Sequence, residues 1–373
     1  MEYRQFGTKS GISISRLGFG AMRLPTKNVN DKNVVDEDLA ISMIHHAFEQ
    51  GVNYIDTAWF YHDGESEITV GKALKGWRDK VYLSSKYPIG NEKGYRELLE
   101  VQLGKMDTDH LDFYHFHGIG EGFLTHEKRD QFIKEAVQAK EEGLIRNISF
   151  SFHDKPEAMA KIIDLGIFSS VLAQYNLLDR ANEDAFANAK ANGLGTVVMG
   201  PVGGGRIAGM DREQAAKLGI EVKSSAELAM RFVFANKNVD CAISGMSTME
   251  QVKENIATAN NLAPLSEAEV VGINLAMEEN KRLADLYCTG CNYCVPHCPQ
   301  EVNIPRIFSA MNSYRIYGMK AMAQGMYNEI GTNEWHKGTK ADACIQCGEC
   351  EEHCPQKINI REQIQECLTV FGG

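Results

Sequence analysis

From residue 1 to about residue 260, short apolar runs alternate with longer amphipathic stretches. Short apolar runs bounded by turn residues are typical of buried strands, whereas apolar residues spaced three and four apart are typical of helices. The pattern predicts eight strands, within residues 15–22, 52–60, 81–87, 111–117, 145–152, 169–176, 195–202 and 239–246.

The amphipathic stretches between these runs predict helices, for example over residues 36–51 and 126–143. Several of them end in a glycine, which is a common helix-terminating residue: Gly51, Gly143, Gly166 and Gly193. Repeated strand–helix units imply a parallel sheet that is covered on both faces. Eight units in about 250 residues favour an α/β fold of the closed (β/α)8 TIM-barrel type. Residues 2–15 predict a hairpin that turns at Lys9–Gly11 and plugs the bottom of the barrel.

The pattern changes near residue 264. Residues 265–287 predict a long helix that leads into a group of cysteines, and residues 303–340 predict a mainly helical, polar segment. We therefore expect two domains, a barrel over 1–282 and a C-terminal, mainly helical domain over 283–373.

Composition narrows the function classes. Hydrophobic residues make up 43% of the chain and charged residues 24%, which is ordinary for a globular protein. The net charge of −11 argues against a nucleic acid or an anionic membrane as partner. Neither a signal peptide nor an apolar stretch of about 18 residues is evident, so we expect a cytoplasmic protein without a membrane segment.

Eight of the ten cysteines form two runs with the same C-x₂-C-x₂-C-x₃-C-P spacing: Cys288, Cys291, Cys294 and Cys298, then Cys344, Cys347, Cys350 and Cys354. Three closely spaced thiolates can bind three irons of a cubane, and the fourth, before proline, reaches the other cluster. The spacing predicts two [4Fe–4S] clusters. We expect Cys298 to join Cys344, Cys347 and Cys350, and Cys354 to join the first three cysteines of the first run.

The alternative is two structural zinc sites, each with four ligands. Zinc ribbons use separated pairs of cysteines, not two identical runs that end in proline. The stretch resembles the bacterial two-cluster ferredoxins, although the spacer between residues 298 and 344 is longer. That spacer makes it similar to the helical ferredoxin modules of larger redox enzymes, so the resemblance implies a ferredoxin-like domain over 283–373.

In TIM barrels the reactive side chains lie at the carboxyl ends of the strands. Those ends carry Asp56 and Tyr61 after the second predicted strand, Lys86 at the end of the third and His117 at the end of the fourth. In the contexts DTAWFY, SSK and LDFYHFH, this set resembles the catalytic tetrad of the aldo-keto reductase family over roughly residues 1–282. The resemblance implies an NAD(P)-dependent oxidoreductase that reduces a carbonyl or oxidises an alcohol.

Carbonyl reduction needs a proton on oxygen, and Tyr61 can donate it. We expect the Lys86 ammonium to lower the pKa of Tyr61, Asp56 to hold Lys86, and His117 to orient the carbonyl oxygen. His115 and His117 together could suggest a metal site. Our expectation from strand alternation is that His115 faces the helices and only His117 faces the mouth. Trp59, Phe60 and Trp77 could line that mouth or simply pack.

The resemblance also implies a nicotinamide site at Ser151 and Gln174. Phe152 stands where the family usually has an asparagine, so one contact to the nicotinamide amide is missing or is made by His153 instead. Phosphate-binding positions are expected in two further segments: Gly200, Gly203, Gly204, Gly205 and Arg206, then Ser247, Thr248, Gln251, Glu254 and Asn255. Gly245 and Gln251 occupy positions where many NADPH-using members have a lysine and an arginine. The usual cofactor preference of the family favours NADPH over NADH.

A nicotinamide transfers a hydride, whereas a [4Fe–4S] cluster transfers one electron. Direct exchange needs a gate such as FMN, which a barrel mouth with phosphate-binding loops could hold. Otherwise the clusters are structural, sense oxygen, or exchange electrons with a redox partner protein. The alternative function is a non-catalytic electron-transfer or sensing protein whose barrel binds nucleotide or flavin. The expected substrate is a small carbonyl or alcohol.

Overall fold

The computed structural model describes residues 1–29, 32–177, 179–202, 224–263, 294–317, 320–332, 336–354 and 358–372, with single positions between 265 and 292. The chain divides into two compact units. The first comprises residues 1–204 and 229–265, and the second comprises residues 205–228 and 266–373. The predicted boundary at 282, and most of the predicted helix over 265–287, lie outside the described residues.

Twelve strands are present among the described residues: β1 (Tyr3–Gln5), β2 (Ser13–Ser15), β3 (Leu17–Gly20), β4 (Thr26–Val29), β5 (Lys32–Val35), β6 (Tyr54–Asp56), β7 (Tyr82–Pro88), β8 (Leu111–Ile119), β9 (Ile145–Phe152), β10 (Ser170–Gln174), β11 (Gly195–Met199) and β12 (Cys241–Gly245). Eight of them close a barrel in the order β10-β11-β12-β3-β6-β7-β8-β9. Their pairing is parallel throughout. Each lies within or overlaps one of the eight predicted runs, so the predicted (β/α)8 barrel is confirmed.

Helices follow most barrel strands. The described α-helices are α1 (Glu37–Glu49), α2 (Glu65–Ala73), α3 (Tyr95–Met106), α4 (Glu121–Leu124), α5 (Arg129–Glu141), α6 (Pro156–Ile163), α7 (Glu183–Ala191), α8 (Ser225–Ala235), α9 (Met249–Asn260), α10 (Ile304–Tyr317), α11 (Lys320–Asn328), α12 (Glu349–Glu352) and α13 (Ile360–Phe371). The four glycines predicted to end helices all have positive φ, between 73° and 93°. None of the described helices is both long and apolar enough to span a membrane.

The N-terminal hairpin closes one end of the barrel, as predicted. Strands β1 and β2 pair antiparallel, and the intervening loop places Phe6 in an apolar cluster with Phe113 and Cys241 of the barrel. The rings of Phe6 and Phe113 meet edge to face with centroids 5.0 Å apart. Gly195 opens β11 directly against Phe6, since a Cβ there would lie 2.6 Å from the ring. The plug therefore covers the amino ends of the strands and leaves the carboxyl ends for chemistry.

A second antiparallel hairpin, β4–β5, was not predicted. It follows β3, in the first strand-to-helix connection of the barrel. Its residues are mostly exposed and polar, so no apolar periodicity marked it. It belongs to the loops at the carboxyl end of the barrel.

The described part of the second unit contains helices α10, α11, α12 and α13, as expected for a mainly helical segment. Its apolar core contains Ile307, Phe308, Ile364 and Phe371. Several cysteines belong to the same core: Cys294, Cys350, Cys354 and Cys367 are buried in it. Arg315 of α10 binds Gln363 and Glu366 of α13, with its Nε 3.0 Å from the Glu366 carboxylate, which fixes these two helices together.

Candidate functional site

A buried ion pair lies at the carboxyl end of the barrel. The Nζ atom of Lys86, on β7, donates to Oδ2 of Asp56 at 2.6 Å and to the carbonyl oxygen of Thr57 at 2.7 Å. The other oxygen of Asp56 accepts from Ser84 at 2.8 Å. Both charged side chains are only 2% exposed. Burial alone lowers the pKa of Lys86, but Asp56 and Tyr61 raise it above its usual value, so the ammonium stays charged.

Tyr61 lies beside this pair because the chain turns sharply after it. Nζ of Lys86 is 5.0 Å from the centroid of the Tyr61 ring. The next two residues, His62 and Asp63, have φ of 51° and 53°, and Gly64 has φ of 91°. Three successive left-handed residues are uncommon and strained for side chains other than glycine. Nε2 of His62 accepts from the backbone N–H of Leu24 at 3.0 Å, which ties the turn to the first connection of the barrel.

The net pKa of Tyr61 differs from the expectation. Burial raises the pKa of its phenol above 10, and Asp56 raises it further, whereas the charge of Lys86 lowers it. The effect of Lys86 has the expected sign, but desolvation is larger. Tyr61 is therefore protonated at neutral pH in the unliganded protein, which is the form that can donate a proton.

His117, on β8, completes the group. Its ring stacks on Phe60 with centroids 5.4 Å apart and meets the ring of Tyr61 edge-on at 6.4 Å. Burial and the charge of Lys86 lower the pKa of His117 to about 3, so its imidazole is neutral. Phe60 is 54% exposed and thus forms one wall of the mouth. Trp77 packs instead against Phe48, on the outside of the barrel.

The expectation for His115 was wrong. Residues two apart in a strand share a face, so His115 points to the same side of β8 as His117. His115 pairs in register with Lys86, and Phe113 on the same face belongs to the cluster beneath the site. Burial and Lys86 lower the pKa of His115 to about 3. A backbone hydrogen bond with Phe150 opposes this shift in pKa but does not cancel it.

A buried network on the outer face of β7 holds the backbone of Lys86. Nε2 of Gln102, on α3, donates to Oε1 of Glu67 at 2.6 Å and to the carbonyl oxygen of Lys86 at 3.2 Å. The hydroxyl of Ser85 donates to the same Glu67 oxygen at 2.7 Å. Burial raises the pKa of Glu67. Sequence reasoning missed this network, although Ser85 neighbours Lys86 and points to the opposite face.

The predicted nicotinamide residues lie on the same rim. The hydroxyl of Ser151, at the end of β9, accepts from the N–H of Gly118 at 2.7 Å. Gln174 ends β10, and its side-chain amide packs on Gly200. Gly200 has φ of 63°, and a Cβ there would lie 2.6 Å from Oε1 of Gln174, so only glycine fits. The remaining predicted residues of that segment lie outside the described residues: Gly203, Gly204, Gly205 and Arg206.

The segment after β12 opens helix α9. Thr248 caps the helix by accepting from the N–H of Gln251 at 3.3 Å, and Oε1 of Gln251 accepts from the N–H of Ser247 at 2.8 Å. This pair resembles a capping box, except that Gln251 binds the N–H of the residue before the N-cap. Asn255 is buried and donates to Ser244 at 3.1 Å, whereas Glu254 is exposed.

The second unit contains a cavity lined by sulfur. Four cysteines line it: Cys298, Cys344, Cys347 and Cys350. None of these four cysteines forms a disulfide. The Sγ of Cys298 accepts from the N–H of Val302 at 3.3 Å, and that of Cys344 accepts from Nε2 of Gln346 at 3.5 Å. Free thiols from both runs around one cavity, with N–H groups on two sulfurs, suit an iron–sulfur cluster.

The other run is described in part. Cys294 and Cys354 are buried in the core, Cys288 packs against it, and Cys291 lies outside the described residues. His297 and His353, which immediately precede the last cysteine of each run, stack with ring centroids 3.5 Å apart. The two runs therefore meet at corresponding positions.

A parallel barrel with a buried lysine–aspartate pair at its carboxyl end, followed by two four-cysteine runs, defines a TIM-barrel oxidoreductase with an iron–sulfur domain. The profile of the aldo/keto reductase family matches residues 16–276. The chain belongs to this family and is an NAD(P)-dependent oxidoreductase. A 4Fe-4S dicluster domain matches residues 287–358.

Among curated proteins, the uncharacterized oxidoreductase YqkF of Bacillus subtilis is 28% identical over 70% of this chain and 92% of its own length. L-galactose dehydrogenase of Arabidopsis thaliana is 26% identical over 71% of this chain and 90% of its own length. The solved aldo-keto reductase AKR11C1 from Bacillus halodurans, in its holo form, is 28% identical with a TM-score of 0.63 and covers 74% of this chain and 96% of its own. An aldo/keto reductase from Klebsiella pneumoniae in complex with NADP and acetate, at 22% identity and a TM-score of 0.60, shares the fold; the match covers 73% of this chain and 95% of its own.

Proposed function

We propose that the barrel reduces a small carbonyl with NAD(P)H, or oxidises the corresponding alcohol, and that Tyr61 is the general acid. The observation that carries this proposal is the buried Lys86–Asp56 pair at 2.6 Å beside the ring of Tyr61. A charged lysine there stabilises negative charge on the phenol oxygen as the proton leaves. The nucleotide supplies the hydride.

Each of the other residues has a role that follows from its surroundings. Asp56 keeps the buried ammonium charged, and Ser84 fixes the orientation of Asp56. A neutral His117 can donate one N–H to the carbonyl oxygen without adding a charge that opposes Lys86. Phe60 covers one side of His117 and would exclude water from the reacting oxygen.

Nucleotide binding is proposed along the rim of the barrel. Ser151 and Gln174 would contact the nicotinamide amide, because each presents a polar side chain at the end of adjacent strands. The phosphates would lie against the segments at 200–206 and 247–255, as the family resemblance implies.

Replacing Tyr61 with phenylalanine tests the proposal directly. The change removes the donor hydroxyl and keeps the ring, so NADPH-linked reduction of a panel of aldehydes and ketones should fall about 100-fold or more. The dissociation constant for the dinucleotide, measured by fluorescence, should stay within about twofold, since the hydroxyl does not hold the phosphates. Near-wild-type turnover would refute the assignment of Tyr61.

For the second unit, we propose two [4Fe–4S] clusters with exchanged fourth ligands. One would bind Cys344, Cys347, Cys350 and Cys298, which line one cavity. The other would bind Cys288, Cys291, Cys294 and Cys354. The stacked His297 and His353 support this exchange, because they bring the last cysteines of the two runs together. The domains are proposed to divide at residue 282, between the two family matches.

The clusters are proposed to exchange single electrons with a partner protein. Cys347 is exposed, whereas Cys350 is buried. One edge of the cluster that these two cysteines would bind would therefore reach the surface. A hydride donor has no direct one-electron route to a cluster unless a flavin such as FMN intervenes. Anaerobic NADPH should therefore leave the cluster absorbance unchanged without added flavin, and a reduced one-electron dye should bleach it. Bleaching by NADPH alone would contradict this separation.

A further inference from the structure

Lys105, near the end of α3, contacts two parts of the barrel site that belong to different elements. Its Nζ atom lies 3.8 Å from the centroid of the Trp59 ring and 3.6 Å from Oε2 of Glu67. A Cβ on Gly64, whose φ is 91°, would stand 3.1 Å from the same ammonium. The side chain of Lys105 is 23% exposed, and that of Glu67 is fully buried. The ammonium is thus packed against an aromatic face, a buried carboxylate and bare backbone.

The contacts with Trp59 and Gly64 reach the segment that carries Tyr61. Residues 57–64 connect β6 to α2, and we call them the Tyr61 loop. Trp59 precedes Tyr61 in this loop, and Gly64 ends the left-handed turn that follows it. A cation above the face of a tryptophan is attracted by the ring. Lys105 therefore contacts the loop on both sides of Tyr61.

The contact with Glu67 reaches the backbone of Lys86. Oε1 of Glu67 accepts from Ser85 at 2.7 Å and from Gln102 at 2.6 Å. Gln102 also donates to the carbonyl oxygen of Lys86 at 3.2 Å. Among the described residues, Lys105 is the only cation that forms an ion pair with Glu67. A buried carboxylate needs such a charge to remain ionised, so Lys105 supports the acceptor on which the network depends.

We propose that Lys105 is a positioning residue that fixes Tyr61 relative to Lys86. It holds the Tyr61 loop through Trp59 and the backbone of Lys86 through Glu67. The inference rests on the proposed function, in which the proton donor and the ammonium must stay together although one lies in a loop and the other on β7. A displacement of about 1 Å between reacting groups can lower a rate about 100-fold, so a contact outside the mouth can control the chemical step.

The test replaces Lys105 with methionine in the purified holoprotein and measures carbonyl reduction and the reverse alcohol oxidation. For reduction, kcat should fall about 10-fold or more, while KM and the dissociation constant for NADPH stay within about twofold, because a misplaced proton donor affects the chemical step and not ground-state binding. Alcohol oxidation requires the phenolate of Tyr61 and therefore rises with pH. The charge of Lys86 lowers the pKa of Tyr61, so a looser arrangement should shift this profile toward higher pH. A loss of folded protein alone would lower activity without shifting the profile.

Two further substitutions separate this contact from the general loss of a lysine. Lys105→Arg keeps the charge and can stack on the indole, so it should recover most of kcat and the wild-type pH profile. Lys75→Met is the matched control, because Lys75 pairs with Asp107 at a similar distance of 3.7 Å but the two side chains are 70% and 79% exposed. An exposed pair contributes little, so this variant should keep the wild-type kcat and pH profile.

Trp59→Leu decides the question if Lys105→Met folds poorly, because it leaves the Lys105–Glu67 pair in place. It should lower kcat and shift the pH profile in the same direction. Where both single variants fold, the double variant should lose less than the product of the two single losses, since both changes remove one shared contact. A wild-type kcat and pH profile in either single variant, or losses that multiply, would overturn the inference. If Tyr61→Phe keeps its turnover, the proposed function fails instead, whatever the result for Lys105→Met.

Discussion

The barrel site and the sulfur-lined cavity bury reactive groups in opposite ways. In the barrel, Lys86 and Asp56 satisfy each other and are supported by Ser84, so the charges are compensated within the protein. In the second unit, thiols from distant parts of the chain surround a cavity, and burial raises the pKa of Cys350 to about 12. Its thiol alone stays protonated, whereas iron requires the thiolate. The charges of the barrel site are balanced by the protein itself, whereas the thiolates of the second site need a bound iron–sulfur cluster.

The largest expected effect is the loss of stability of the second unit, but not of the barrel, when iron is removed. Removing iron with a chelator and an oxidant should destabilise the second unit by an amount on the order of 10 kcal/mol, the scale of structural metal binding in small domains. Amide exchange in α10 and α13 should then approach that of an unfolded chain, while the barrel strands keep their protection. Mass spectrometry of peptides from both regions measures this. Equal protection before and after iron loss would show that the second unit is as self-sufficient as the barrel.

Within that unit, the proposed exchange of ligands can be separated from the general effect of losing a cysteine. Cys298→Ala should remove most of the iron held by the second cysteine run, and anaerobic analysis should give about four irons in place of about eight. Cys367→Ala is the matched control, because Cys367 is buried in the same core but belongs to neither run. Equal iron loss in the two variants would contradict the assignment.

In the barrel, the next largest effect comes from breaking the ion pair. Lys86→Met leaves the Asp56 carboxylate buried and unpaired, which typically costs about 3–5 kcal/mol of the free energy of unfolding. The double variant Lys86→Met with Asp56→Asn removes both charges and should recover much of that loss while remaining inactive. Urea unfolding of the barrel measures both. A double variant as unstable as the single one would show that the barrel does not depend on mutual compensation.

The pH dependence of stability should reveal the buried His115 and the half-buried His117. The pKa values of His115 and His117 are about 3 in the folded protein, whereas an unfolded histidine titrates near 6.5. As pH falls below about 6.5 the unfolded state takes up protons first, so stability is lost. At pH 5 each histidine should cost on the order of 2 kcal/mol relative to pH 8. His115→Leu should make the decline shallower, and an unchanged slope would refute the buried neutral state of His115.

The comparison also explains what the sequence could reveal. The strands and cysteine runs follow local patterns, and Asp56, Tyr61, Lys86 and His117 stand at predictable strand ends. The side chain of Arg23 packs on the backbone of Gly245 because the barrel closes β12 against β3, and no local pattern in the sequence encodes that pairing. The left-handed turn at His62 and Asp63, after Tyr61, was missed because histidine and aspartate adopt this conformation only occasionally and no periodic pattern marks it. The pKa of Tyr61 is raised because its ring is buried, and the sequence reveals only the opposing effect of the neighbouring Lys86 charge.

The smallest expected effect tests whether the nucleotide rim of the barrel is prearranged in the same way as the ion pair. Gly76 and Gly200 both have left-handed backbones, with φ of 78° and 63°. A Cβ on Gly76 would meet nothing within 4 Å, whereas one on Gly200 would strike the amide of Gln174.

Gly76→Ala should therefore lower the free energy of unfolding, measured in urea, by about 1 kcal/mol, through backbone strain alone. Gly200→Ala should cost somewhat more and also weaken dinucleotide binding severalfold, because Gln174 must move. Both variants should keep their iron and cluster absorbance, since the change lies in the barrel. Equal dinucleotide affinity in the two variants would mean that the position of Gln174 is not set before the nucleotide binds.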